Sequence, residues 1–376
     1  MSRTRTYLDH NATAPLRPEA RQAMLGALDV VGNPSSPHAE GRRARAIVED
    51  AREAVAALVG ARPAEVVFTS GGTEANNAVL AGGWKAILLS GVEHDSVLAP
   101  ARASGARLVE LPVGRDGVVD TEAAAAAMQD GGGRTLLSLQ LANNETGVTQ
   151  PVAEVALAAR AHGLAVHSDA VQAAGRIPVD LALLGVDYLT LSAHKLGGPK
   201  GVGALIVRER APALPGLIAG GGQERRRRAG TENVAGIAGF GAAAAAASAD
   251  LARMGRVRAL RDLLEREVRR ITPEAVIVAE AAERLPNTTS LALPGSSAET
   301  LVIALDLKGV AVSAGAACSS GKVGASHVLE AMGLAPPVAR AAIRVSLGPG
   351  SGERDIESFL EAWSELALAR RARAVA

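Results

Sequence analysis

The chain of 376 residues has one cysteine, Cys318, which excludes an intrachain disulfide framework and suits a reducing compartment. Aromatic residues make up only 2%, so the core must be built from Ala, Val, Leu and Ile. Neither sign of charge dominates: a net charge of +1 gives no footprint for nucleic acid or an anionic membrane. Lysine is sparse, and only Lys85, Lys195, Lys200, Lys308 and Lys322 can supply an amine. The first ten residues hold no apolar stretch of signal-peptide length, and no uninterrupted apolar run reaches the length that spans a bilayer. The alanine runs at 123–127 and 242–247 are helix formers, too weakly hydrophobic for that role. A cytoplasmic protein is expected, long enough to bury a large core in two domains.

Short β-rich runs alternate with helical patterns through the first two-thirds. Strands are expected at Glu65–Thr69, Ala86–Ser90, Arg107–Leu111, Thr135–Leu141, Ala165–Ser168, Tyr188–Ser192 and Gly203–Val207, with helices such as Arg42–Leu58, Glu74–Ala81 and Ala153–Ala161 between them. Alternation of this kind predicts an α/β fold with a mostly parallel, seven-stranded sheet covered on both faces. A charged helix, Leu251–Arg270, opens a second region. Strands at Ala275–Val278, Thr289–Leu293, Val310–Ser313 and Ile343–Leu347 and helices at Glu299–Asp306 and Pro337–Ala342 follow. The expected division is a large domain over 15–250 and a small α+β domain formed by 1–14 and 251–376, with Cys318 in one of its loops.

Five strands run directly into polar clusters: Ser70-Gly-Gly-Thr73, Glu93-His94, Asn143-Asn-Glu145, Asp169 with Gln172, and Ser192-Ala-His-Lys195. The carboxyl ends of strands form the ligand crevice of open α/β sheets, so these clusters should build one site. Lys195 is delivered by a strand into a glycine-rich turn, where an amine can lose its proton and attack a carbonyl. Gly72-Thr73 opens a helix and reads as a phosphate cradle. Asp169 ends a strand, where a buried carboxylate needs a cationic partner; a protonated pyridine nitrogen is one. Amine, carboxylate and cradle together point to pyridoxal 5'-phosphate. Arg344 could grip a substrate carboxylate in a fork, and His94 could stack on a planar ring or move protons. No histidines have metal-ligand spacing, so no metal is expected. The run Arg225–Arg228 reads as a solvated loop. Cys318, in Ser313-Ala-Gly-Ala-Ala-Cys-Ser-Ser-Gly321, is either a buried core thiol or a nucleophile.

The motifs Asp9-His-Asn-Ala-Thr13, Gly32-Asn-Pro-Ser-Ser36, Thr69-Ser-Gly-Gly-Thr-Glu74, Asn143-Asn-Glu-Thr-Gly147, Ser192-Ala-His-Lys195, Arg227-Arg-Ala-Gly-Thr231, Ala317-Cys-Ser-Ser-Gly321 and Ser326-His-Val-Leu329 resemble those of the NifS/IscS-type (group I) cysteine desulfurases of the class-V aminotransferase family. The resemblance runs from about residue 7 to 360 and implies the fold-type I, aspartate-aminotransferase-like architecture in a homodimer with composite sites. It implies Lys195 as the Schiff-base lysine, Asp169 at the pyridine nitrogen, Gln172 at the ring hydroxyl, and His94 and Asn144 at the ring. Gly72, Thr73, Ser192 and His194 would hold the phosphate with Thr231 of the partner subunit. Asn33 and Arg344 would take the substrate carboxylate. L-cysteine would become L-alanine by way of an external aldimine and a ketimine, its sulfur passing to the Cys318 thiolate as a persulfide. An acceptor such as an iron–sulfur scaffold would then receive it. Arg225–Arg228 would belong to an intersubunit loop. An aminotransferase or β-lyase with a structural Cys318, a selenocysteine lyase, and a non-enzymatic member of the fold acting as a sulfur-carrier scaffold or a sensory module are the competing readings.

Overall fold

The computed structural model describes residues 5–129, 133–315 and 326–375. Cys318 lies outside the described residues, as does the loop expected to carry it. The strands, in chain order, are β1 (Thr6–Tyr7), β2 (Val66–Thr69), β3 (Ala86–Ser90), β4 (Arg107–Leu111), β5 (Thr135–Ser138), β6 (Ala165–Asp169), β7 (Tyr188–Ser192), β8 (Gly203–Val207), β9 (Val276–Ile277), β10 (Thr288–Ala292), β11 (Val310–Ala311), β12 (Ser313–Ala314) and β13 (Ala342–Ser346). The α-helices are α1 (Pro18–Leu28), α2 (Ala39–Leu58), α3 (Gly72–Leu80), α4 (Asp95–Ala103), α5 (Thr121–Met128), α6 (Val152–Ala161), α7 (Leu181–Leu184), α8 (Val234–Asp250), α9 (Met254–Ile271), α10 (Ala298–Leu307), α11 (His327–Ala331), α12 (Pro336–Ala339) and α13 (Glu353–Val375).

Seven strands form one sheet in the order β2-β8-β7-β6-β5-β3-β4. All neighbours are parallel except β8, which runs antiparallel to β2 and β7. Six of these strands are buried along their whole length, which their largely apolar sequences allow; β4 lies at the edge and is mostly exposed, with only Leu111 buried. With β8 as the only reversed strand, β2, β3, β5, β6 and β7 all end on one edge. A second, antiparallel sheet has the order β12-β13-β10-β9, and β1 pairs with β11.

Two apolar cores follow from this. One lies over the large sheet and includes Val48, Leu137, Val166 and Phe240; the other joins Leu8 to Leu264, Ile343, Phe359 and Trp363. Six of the seven aromatic residues are buried in ring pairs, Phe68 with Phe240, Trp84 with Tyr188 in a further cluster on the large sheet, and Phe359 with Trp363, while the exposed Tyr7 packs against His10. Val234–Ile271 is long and apolar enough by composition to cross a membrane, although no uninterrupted apolar run within it has that length. It is a core element: α8 packs against α1 and α2 with Phe240, Ala243 and Ala244 fully buried.

Two expectations for the second region need correction. Val310–Ser313 is two short strands in different sheets, since Thr6 and Tyr7 pair with Val310 and Ala311 while Ser313 pairs with Arg344. The helix expected over Pro337–Ala342 ends at Ala339, and Ala342 opens β13, where it pairs with Ala292.

Candidate active site

The sheet edge that receives the five strand ends opens into one cavity of about 570 Å³. Its lining contains Gly72, Thr73, His94, Asn144, Asp169, Gln172, Ser192, His194, Lys195 and Arg344, ten of the residues expected there. Lys200, expected as a surface or turn residue, is exposed and also borders it. Asn33 and Thr231 are exposed and are not among the lining residues, and Asn33 Oδ1 accepts from the Ser35 amide at 2.9 Å within its own turn.

Lys195 reaches the cavity from the 3₁₀ turn Ala193–Lys195 that follows β7. Its Nζ donates to the carbonyls of Asn11 and Ala12 at 2.6 and 2.8 Å, so the segment after β1 holds the amine in place. Asp169, at the end of β6, is 8% exposed and accepts from Asn76 Nδ2 at 2.7 Å and from the Val171 amide at 2.9 Å. These two donors give a buried carboxyl the hydrogen-bond partners that burial would otherwise deny it.

Asn76 connects two halves of the site. Its amide also donates to Ser96 Oγ at 2.8 Å, and Ser96 Oγ lies 2.8 Å from His94 Nδ1. The Ser96 amide donates to the same nitrogen at 3.0 Å, which makes His94 the N-cap of α4. With Nδ1 accepting, the neutral ring carries its proton on Nε2. Burial, together with Lys195 and His327, lowers the His94 pKa against the pull of Asp169 and Asp95, so the ring is uncharged near neutrality. His194 is pushed down to about 4 by burial and by the charges of Lys195, Lys200 and Arg176; its Nδ1 lies 2.9 Å from Thr13 Oγ1.

The cradle is a backbone feature. The α3 helix begins at Gly72 with no side chain capping it, leaving first-turn N–H groups directed at the cavity. β8 approaches that turn closely. A Cβ on Gly203 would lie 2.6 Å from the Gly71 carbonyl carbon, so only glycine allows the contact.

On the opposite wall, Arg344 is almost fully buried on β13. Nη2 pairs with Asp9 Oδ1 at 2.8 Å and Nη1 donates to the Asn144 carbonyl at 3.0 Å, while Nε has no partner. Gln172 donates through Nε2 to the Asn11 carbonyl at 3.1 Å, its Oε1 being taken by Arg176 Nη1. Asn76 and Ser96 were missed from the sequence, because isolated amides and hydroxyls carry no motif of their own, and Asn11, although inside the Asp9–Thr13 motif, was given no role. Only the position of Asn76, one turn into the helix that begins at the cradle, could have pointed to it.

A family model described as aminotransferase class-V matches residues 6–359. The chain belongs to the class-V aminotransferase family. Among its class-V relatives, a cysteine desulfurase of Cereibacter sphaeroides is 44% identical over 369 residues, covering 95% of this chain and 94% of its own. The cysteine desulfurase IscS of Dictyoglomus turgidum is 41% identical over 367 residues, covering 94% and 92%. A solved NifS-like protein of Rickettsia africae matches with a TM-score of 0.89 at 36% identity, covering 96% of this chain and 99% of that one.

Membership implies pyridoxal 5'-phosphate, and the residues fit it. The cavity holds the Lys195 amine on its strand-end turn, with Lys200 at its border, a doubly hydrogen-bonded carboxylate and an uncapped helix start, which together meet what this cofactor requires. Asn76 Oδ1 and Arg344 Nε are buried without partners, so polar capacity is left over at the site.

Proposed function

We propose that this class-V chain is a pyridoxal 5'-phosphate-dependent cysteine desulfurase that converts L-cysteine to L-alanine and passes the sulfur to Cys318 as a persulfide. The observation that carries the reading is the convergence of Lys195, Asp169, the Gly72 cradle and Arg344 on one cavity in a chain with a single thiol. The cofactor would be held by Lys195, Asp169, Gln172, His94, Asn144, Gly72, Thr73, Ser192 and His194. When bound, it supplies an electron sink for the α-carbon of the substrate.

The protein's own groups do the rest. Arg344 binds the substrate carboxylate through N–H groups not used by Asp9 and Asn144. Lys195 Nζ, which donates to the Asn11 and Ala12 carbonyls at rest, takes the α-proton and returns it elsewhere. Asp169, held by Asn76 Nδ2 and the Val171 amide, would be the acceptor for the protonated ring nitrogen of the cofactor. Cys318 Sγ, as thiolate, forms a bond to the substrate sulfur while the carbon–sulfur bond of the substrate breaks. That bond's electron pair stays on carbon, which takes a proton to become the methyl group of alanine.

The chain is read as a homodimer with composite sites, Thr231 of the partner subunit completing the cradle and Asn33 joining Arg344 at the substrate carboxylate. Exposed Leu16, Leu25, Leu28 and Val31, clustered on and around α1, support a covered surface there. Arg225–Arg228 fits the same loop: Arg228 pairs with Glu74 at 3.0 Å and so touches the cradle of its own chain. The domain division at 15–250 against 1–14 with 251–376, a cytoplasmic location and an iron–sulfur scaffold as sulfur acceptor belong to the same reading.

The test is Cys318→Ala. Alanine and persulfide formation should stop while the yellow bound cofactor is retained. Undiminished sulfide release from L-cysteine by the variant would sink the nucleophile assignment and leave a β-lyase, whose carbon product is pyruvate.

A further inference from the structure

Glu74 sits in the first turn of α3, beside the cradle, yet no step of the proposed reaction uses it. Its side chain is 10% exposed and borders two cavities, the one of about 570 Å³ that contains Lys195 and a second of about 290 Å³. Oε2 accepts from the Ser70 amide at 2.7 Å, and Oε1 accepts from Arg228 Nε at 3.0 Å. Arg228 lines the second cavity and not the first. Burial pushes the Glu74 carboxyl up, but the bonds from Arg228 and Ser70 outweigh it and hold it below the ordinary glutamate value, so the group is ionised near neutrality.

A phosphate on the first-turn N–H groups of α3 therefore has a carboxylate of like charge as a near neighbour. The helix start favours an anion, but Glu74 already supplies one. His194 is uncharged near neutrality and Lys200 is exposed, so neither offsets it. Among the described residues, Arg228 is the ion-pair partner of Glu74.

The arginine is fixed to the strand that delivers the cradle. β2 is an edge strand of the large sheet; its Phe68 amide donates to Glu224 Oε2 at 3.0 Å, and its Val66 carbonyl accepts from Arg52 Nη1 at 2.9 Å. The Arg52–Glu224 pair thus occupies the open edge of β2, and left-handed backbone at Glu224, Arg225 and Arg226 leads the chain from that edge to Arg228. Beyond it, the Ala229 amide donates to the Ile218 carbonyl at 3.1 Å and the Gly230 amide to Gln223 Oε1 at 3.2 Å.

We propose, resting on the cofactor reading, that Arg228 is a positioning residue for the phosphate of pyridoxal 5'-phosphate, neutralising Glu74 and holding its carboxylate on the Ser70 amide so that the first-turn N–H groups of α3 stay open to the anion. Released from Arg228, the carboxylate can turn to the helix start itself, as acidic residues in first turns do, and it repels the phosphate.

The test compares pyridoxal 5'-phosphate with pyridoxal, which lacks the phosphate, in the full-length enzyme stripped of cofactor and titrated at the visible absorbance of the bound form. Arg228→Gln should weaken pyridoxal 5'-phosphate about tenfold, the effect of one unpaired like charge nearby, and change pyridoxal by less than about twofold. Adding Glu74→Gln to Arg228→Gln removes the unpaired charge and should restore affinity to within about threefold of the wild type. A merely structural loss would weaken both compounds together, and a second substitution would not rescue it. Equal losses for the two compounds, no loss in Arg228→Gln, or no rescue in the double variant overturns the proposal. A wild-type enzyme that binds neither compound overturns the cofactor reading itself.

Discussion

Replacing Arg344 with lysine tests whether the buried fork on β13 reads the substrate carboxylate. The guanidinium has five N–H groups. One is used by Asp9 and one by the Asn144 carbonyl, and Nε–H has no partner, so two or more remain for a ligand. Lysine keeps the charge opposite Asp9, which avoids an uncompensated carboxylate, but offers a single point donor in place of a planar fork. Losing one charge-assisted bond to the carboxylate costs about 1.5–3 kcal/mol, or roughly 10- to 150-fold in affinity. The assay is the absorbance change of the bound cofactor on titration with L-alanine and with alaninamide, which lacks the carboxylate charge. Arg344→Lys should weaken L-alanine by that factor and alaninamide by less than about threefold. Equal losses for the two ligands would mean that Arg344 only supports the fold, and the assignment would fail.

Three further outcomes are expected. Arg52→Met should destabilise the protein by about 3–5 kcal/mol in urea, because it leaves Glu224, whose side chain is 2% exposed and which accepts from both Arg52 Nη atoms, as a buried charge without a cation; a loss below about 1 kcal/mol contradicts this. Gly203→Ala should weaken cofactor binding at least tenfold and cost about 1–3 kcal/mol of stability, since the added methyl meets Gly71 at 2.6 Å; unchanged affinity would remove β8 from the account of the cradle. Burial pushes Glu93 up to about 8, so in the fold it keeps a proton that the unfolded chain loses near 4.5. Its contribution is complete below 4.5 and is lost as pH rises toward 8. Between pH 6.5 and 8 the wild type should lose roughly 2 kcal/mol more stability than Glu93→Gln, and parallel curves would refute the placement. The histidines depressed by burial, His10, His167 and His194, act below about 6.5 and in the opposite direction, so this window isolates the carboxyls.

How much of this was legible in the sequence depends on what each element needs. All seven strands of the large sheet were placed from the sequence, six of them because strands buried on both faces are apolar along most of their length, although β5 ends at Ser138 rather than Leu141 and β4 is a mostly exposed edge strand. Lys195, Asp169 and Gly72 were found because each follows a strand and has a distinctive chemistry. The small region was harder. β1, β9, β11 and β12 have two residues each, too short for any periodicity, and what defines them is pairing with distant partners such as Arg344 and Val310. Pro336 and Pro337 start a helix correctly, but the return to β13 at Ala342 is a tertiary demand. In the site, Asn76 and Ser96 organise Asp169 and His94 through hydrogen bonds that cross from α3 to β6 and α4, which no linear spacing encodes. The arginine run shows the same limit. Three consecutive non-glycine residues, Glu224, Arg225 and Arg226, take left-handed backbone, held where Glu224 is buried against Arg52, and only the fold supplies that anchor.

The most direct measurement of the central claim is the mass of the tryptic peptide 309–322, which contains the only thiol of the chain. After the cofactor-loaded enzyme is exposed to L-cysteine, that peptide should gain one sulfur atom, which a thiol reductant removes, and the gain should be absent in Lys195→Ala. Alanine release with the peptide mass unchanged would contradict sulfur transfer to Cys318.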